Sequence, residues 1–189
     1  TNPRVEASLA TVDGFTATGS AISRDTGQAS LGSASLLNNP DNSAAGEGFY
    51  WESPIIPRSV DTQFISVQCE HRGASAASAV KLEIRDAAGT SVLGTSGSSN
   101  LATSWTRVTA TYAVAPNTAA AAYRLYVTTQ TDHNISFYVD KIMFEVRDDT
   151  TAVSTYVDGD SGINFRWLGT ANASSSIKRP ALTIIKGIK

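Results

Sequence analysis

The sequence predicts an all-β protein built as a sandwich of antiparallel strands. Three observations lead there. Apolar residues do not recur at a helical period in any window of about 11 residues. Strict apolar/polar alternation returns in run after run instead. Clusters of Gly, Pro, Asn and Asp separate those runs at short, regular spacing.

The elements follow in chain order. Asn38–Asn42 and Ala44–Gly48 read as a long polar loop ahead of Phe49-Tyr50-Trp51. Pro54 and Pro57 cannot donate to a sheet ladder, so their segment is an edge or a loop. Ile65, Val67 and Cys69 alternate with Gln68 and Glu70, and Val80, Leu82 and Ile84 with Lys81, Glu83 and Arg85. Side chains alternate across a strand, so each run has one buried and one wet face. Asp86-Ala-Ala-Gly89 is hairpin chemistry between Ile84 and Val92. Val108, Ala110, Tyr112 and Val114 form the next strand; Pro116-Asn117 breaks it, and Tyr123, Leu125 and Val127 resume.

Phe137–Val146 is different. Phe137 and Val139 share one phase, and Ile142, Phe144 and Val146 the other. Either both faces are buried, or a bulge near Asp140–Lys141 re-aims the side chains. After Val146, Arg147–Thr151 is a polar linker, and Pro180–Ile185 is a short apolar run with basic flanks. The expected organisation is a sandwich over residues 1–147 and an extension over 148–189.

Composition narrows the function. The formal net charge is −2 and only 17% of the 189 residues are charged. Nucleic-acid binding needs a concentrated basic face, and Lys178, Arg179, Lys186 and Lys189 on a tail do not make one. No run approaches the ~18 apolar residues of a membrane span, so no membrane insertion is expected. The chain opens at Thr1 without a secretory signal pattern, as expected if an initiator or leader has been removed. A lone cysteine, Cys69, excludes an internal disulfide and reads as a small core residue. His71 and His133 lie in no metal-ligand spacing, and neither a nucleophile elbow nor a phosphate loop is present. A non-enzymatic protein is expected. Glu70 and Glu83 would be the carboxylates to test for glycoside hydrolysis.

Two resemblances add to this. Tyr156–Ser176, YVDGDSGINFRWLGTANASSS, resembles a segment near the C-termini of phage minor tail proteins. Tyr156, Asp158, Gly159, Asp160, Trp167, Gly169, Thr170, Asn172 and Ser174 carry the match. Val157 replaces the usual Phe, and Ile163–Phe165 is an insert. The body resembles the jelly-roll carbohydrate-binding modules that accompany xylanases and glucanases. Asn2-Pro3 with Glu6, Gly14-Phe15, Gly32–Leu36, Trp105-Thr-Arg107 and Phe137–Asp140 carry that match in order. It implies a jelly-roll β-sandwich. It also implies a structural calcium ion held by Glu6 and Asp140, chemistry that suits a hard cation.

Sugar binding in such modules joins aromatic rings to polar side chains on one sheet face. The candidates are Tyr50 and Trp51 as a stacking platform, with Gln68, Glu70, Arg85, Arg124 and Tyr126 beside it. Glu83 would share that outward face if the strands are neighbours. Trp105 is expected in the core.

Together these readings imply a phage virion protein, of the tail or particle surface, that contacts host cell-surface polysaccharide. Residues 150–189 would bind other virion proteins or identical subunits. The alternatives are a carbohydrate-binding module of a secreted glycan-degrading enzyme and a purely architectural particle decoration.

Overall fold

A computed structural model describes Val12, residues 14–148 and 152–156, and the backbone of residues 165–167 and 176–178. Eleven described strands precede residue 148: β1 Phe15–Thr18, β2 Ser20–Asp25, β3 Ser35–Pro40, β4 Gly48–Glu52, β5 Gln63–Gly73, β6 Ala79–Arg85, β7 Val92–Thr95, β8 Ser99–Asn100, β9 Thr106–Val114, β10 Arg124–Thr129 and β11 Phe137–Arg147. They form two antiparallel sheets. One runs β1-β4-β10-β6-β7, with β8 also on β6; the other runs β2-β3-β11-β5-β9. This is the β-sandwich expected from the alternation, of the jelly-roll type that the resemblance implied. Two further short strands, β12 Phe165–Trp167 and β13 Ser176–Lys178, pair with each other.

The core lies between the sheets. Leu82, Ile84, Leu125, Val127 and Phe49 come from the first sheet, and Leu36, Ile65, Val67, Phe137 and Val139 from the second. Each is at most 1% exposed, and burying a side chain of this size contributes about 1.5–3 kcal/mol. Cys69 is fully buried among them, and burial pushes its thiol pKa well up, with Glu70 adding to the effect. It is a core residue.

The phase change in β11 is a bulge. Register with β5 shifts between Asp140 and Met143, and Lys141 takes a φ of 50°. The extra residue turns Ile142 and Phe144 to the face already used by Phe137 and Val139.

Two expectations about element boundaries change. Asn38, Asn39 and Pro40 belong to β3 rather than to a loop, because Asn38 is buried opposite Phe137. Trp105 is half-buried just ahead of β9, outside the core, with the Arg72 guanidinium 5.9 Å from its ring centroid.

The segment after the linker does not leave the sandwich at once. Residues 152–156 cross the outer face of the second sheet. Arg107 Nη2 donates to the Ser154 carbonyl (2.6 Å), Arg147 Nη1 to the Ala152 carbonyl (3.3 Å), and the Ser154 amide to Glu145 Oε2 (3.2 Å).

Candidate carbohydrate-binding face

The outer face of the first sheet collects the most chemistry. Its three central strands are adjacent and in register. Tyr126 on β10 lies between Tyr50 on β4 and Glu83 on β6, and Arg124 lies between Glu52 and Arg85. The apolar inner phase of each strand forces these residues outward, because neighbours along a strand point to opposite faces.

Tyr50 and Tyr126 stack, with ring centroids 5.0 Å apart and planes 28° apart. The guanidinium of Arg124 lies over Tyr50 at 4.7 Å from its centroid, and that of Arg85 over Tyr126 at 4.2 Å. Cation–π attraction favours both placements. Each guanidinium is also tied to a carboxylate. Arg124 Nε donates to Glu52 Oε2 at 2.9 Å, and Arg85 Nη2 to Glu83 Oε2 at 2.5 Å. Lys81 Nζ closes on Glu83 Oε1 at 2.9 Å.

Glu83 is only 4% exposed. Burial alone would raise its pKa, but hydrogen bonds and charge from Lys81 and Arg85 outweigh burial and hold it below the usual carboxylate range. The Glu52 hydrogen bond raises the Arg124 pKa. Three cations and two carboxylates leave this face with one formal positive charge.

The β6–β7 hairpin lies against the cluster. Its turn is stapled by Asp86, whose carboxylate accepts from the Thr90 amide (2.7 Å) and hydroxyl (3.0 Å). The Ser91 amide donates to it as well (3.2 Å), and this bond first, then those from Thr90, hold the Asp86 pKa low against burial. Arg124 Nη1 donates to the Ala88 carbonyl (3.0 Å) and Arg85 Nη1 to the Gly89 carbonyl (3.2 Å). Gly89 has a φ of 76°, and a Cβ there would lie 2.5 Å from the Tyr126 hydroxyl oxygen. Glycine is needed at this position twice over, for the turn and for the contact.

Four of the seven expected sugar-binding residues therefore meet on one face: Tyr50, Arg85, Arg124 and Tyr126. Three do not. Trp51 points inward, its ring centroid 5.6 Å from that of Phe144 in the other sheet. It cannot share a platform with Tyr50, because adjacent strand residues face opposite ways. Tyr126 is the ring that Tyr50 stacks on. Gln68 and Glu70 lie on β5, in the second sheet, facing out from the opposite side of the sandwich. Glu52 joins the cluster without having been singled out. Its signal was the alternation Gly48, Tyr50, Glu52, obscured by three consecutive aromatics.

Glu70 and Glu83 also part company. They sit on opposite outer faces of sheets stacked ~10 Å apart, whereas a retaining glycosidase pair needs carboxyl groups ~5 Å apart.

Asp140 holds backbone amides at the β11 bulge. Its Oδ2 accepts from the amides of Ser30 (2.7 Å) and Leu31 (2.8 Å), and its Oδ1 from the amide of Lys141 (2.6 Å). N–H groups suit an anion acceptor, whereas calcium needs surrounding oxygens. Glu6 lies outside the described residues. Among those residues, no group of three or more His, Cys, Asp or Glu side chains is placed to hold a metal. The three amides make Asp140 an anchor for the loop at residues 30–31 and for the bulge, and its expected calcium bridge to Glu6 falls partly outside the described residues.

Several solved structures share this fold. The chain is similar to a xylan-binding domain of carbohydrate-binding-module family 22, with 21% identity over 82% of this chain and 96% of that one (TM-score 0.55). It is equally similar to the CBM22-1–GH10 modules of endo-1,4-β-D-xylanase 10B from Clostridium thermocellum solved with xylohexaose, with 21% identity over 82% of this chain and 29% of that one (TM-score 0.55). A cyclase from Fischerella sp. TAU is similar at 12% identity, over 79% of this chain and 96% of that one (TM-score 0.61). At these identities the likeness is one of fold, and the fold carries more than one function. No family model and no curated protein sequence matches the chain.

Proposed function

We propose that this chain binds polysaccharide, without catalysis, through the Tyr50–Tyr126–Arg85–Arg124 face, as a component of a phage tail or particle surface. The observation that carries the binding reading is the convergence of those four side chains, with Glu52 and Glu83, on one regular sheet face. Rings and fixed donors and acceptors side by side are what a sugar, with its apolar ring faces and polar rim, requires. The xylan-binding neighbours support the ligand class. The separation of Glu70 from Glu83 removes the one carboxylate pair that the sequence offered for glycoside hydrolysis.

The particle assignment is supported by the tail-like segment Tyr156–Ser176, whose residues beyond Tyr156 lie largely outside the described ones. A second reading has its own support: a module joined to a glycan-degrading enzyme, as in the xylanase of which this chain spans 29%.

Two experiments test the proposal. Affinity electrophoresis against xylans, glucans and bacterial cell-wall polysaccharides should show saturable binding to one of them, lost in Arg124→Ala. No retardation by any glycan overturns the binding reading. Sedimentation of the full chain and of a chain ending at Tyr156 tests the extension. The full chain should self-associate or bind tail proteins, and the shortened one should not. Identical behaviour of the two defeats the assembly role.

A further inference from the structure

Beside Thr155 and Tyr156, on the sheet face opposite the stacked tyrosines, lies a half-open pocket of about 280 Å³. Liquid water takes ~30 Å³ per molecule, so the space is on the order of nine waters, room for one small ring. Thr155 and Tyr156 border it on one side and Leu31 on another, and Gln68, Glu70, Arg107 and Lys141 supply its polar groups.

Those groups are unevenly satisfied. Lys141 Nζ is matched by Glu70 Oε1 at 3.0 Å. Arg107 spends Nε on Gln68 Oε1 (2.7 Å) and Nη2 on the Ser154 carbonyl (2.6 Å), and among the described residues it has no carboxylate partner. Gln68 is 2% exposed, and its Nε2 finds only the Met143 sulfur, at 3.8 Å. Thioether sulfur is a weak acceptor. Among the described residues the pocket thus holds a solvent-exposed guanidinium with no carboxylate partner and a buried amide donor whose one acceptor is a thioether, and its lining side chains carry one formal positive charge.

We propose that this cavity is a second ligand site, taking a single carboxylate-bearing sugar ring of the uronic-acid class. The ligand carboxylate pairs with Arg107, whose planar fork matches it. Gln68 Nε2 and Glu70 give a donor and an acceptor for ring hydroxyls. The inference is independent of the tyrosine face.

Titration calorimetry at low salt with D-glucuronate, and with D-glucose as its neutral counterpart, tests it. Glucuronate should bind at least tenfold more tightly than glucose. Arg107→Gln should abolish that preference. Glu70→Gln, which keeps an acceptor for Ser30 but releases Lys141, should tighten glucuronate binding several-fold; damage to the fold would not produce such a gain. Tyr50→Ala should leave it unchanged. Equal affinity for the two sugars, a preference that survives Arg107→Gln, or no gain in Glu70→Gln overturns the proposal. Loss in Tyr50→Ala would move the acid-binding site to the first sheet.

Discussion

Tyr50 and Tyr126 stand directly opposite each other across the β4–β10 ladder, rings stacked at 5.0 Å, each capped by an arginine that is itself fixed by a glutamate. The consequence is a rigid polar surface whose ring faces are already partly covered. Recognition there rests on fixed N–H and carboxylate groups more than on the rings, since Tyr126 is only 8% exposed.

Arg124→Lys is therefore not conservative. A lysine ammonium cannot bond Glu52 and the Ala88 carbonyl in one plane while lying over Tyr50. The expected result is a loss of glycan affinity of roughly tenfold, about 1.4 kcal/mol, with the melting temperature nearly unchanged. Calorimetry beside a thermal melt separates the two. Wild-type affinity in the lysine variant would show that the guanidinium plays no part in binding.

Gly89→Ala tests the hairpin that rests on Tyr126. The positive φ and the 2.5 Å approach to the hydroxyl both oppose a side chain. A cost of at least ~1 kcal/mol is expected, with weakened glycan binding as Tyr126 and Arg124 shift. A urea melt and an affinity gel read both. Unchanged binding would mean that the hairpin only borders the site.

His71 makes stability fall in acid. It is fully buried, its Nε2 lies 2.8 Å from Ser99 Oγ, and its Nδ1 has no hydrogen-bond partner among the described residues. Burial lowers its pKa to about 4, from 6.5. Between those values the unfolded chain holds the proton and the folded one refuses it. This contribution is complete above pH 6.5, declines as pH falls, and is gone below about 4. Its full size is about 3 kcal/mol. Urea midpoints across that range should drop more steeply for the wild type than for His71→Gln. Parallel curves would rule out His71 as the source.

Asp140→Ala strips the acceptor from three backbone amides, of Ser30, Leu31 and Lys141. A loss of roughly 2–4 kcal/mol is expected, while a chelator leaves the wild-type melting temperature unchanged. A chelator-induced fall reversed by added calcium would instead support the Glu6–Asp140 bridge.

Much of this was readable in the chain because alternation is a local property. Val80, Leu82 and Ile84, or Leu125 and Val127, announce a buried face without knowledge of their neighbours. Asp86–Gly89 announces its turn through the glycine that must take positive φ. The β11 bulge was visible as two apolar phases meeting at Asp140–Lys141. The site was only half visible. Alternation says that Gln68, Glu70, Arg85, Arg124 and Tyr126 face outward, but not from which sheet.

The sequence by itself determined the strands, their inner faces and the sandwich, since a two-residue period and turn chemistry are written along the chain. Tertiary structure alone decided the strand order. It placed β10 between β4 and β6, uniting Tyr50 with Tyr126, and put β5 in the other sheet, separating Gln68 and Glu70 from them. It also turned Trp51 into the core and gave Asp140 three amides to hold. Pairing between strands distant in sequence depends on which two sheets bury the most apolar surface together, and that is a property of the whole core rather than of any one segment.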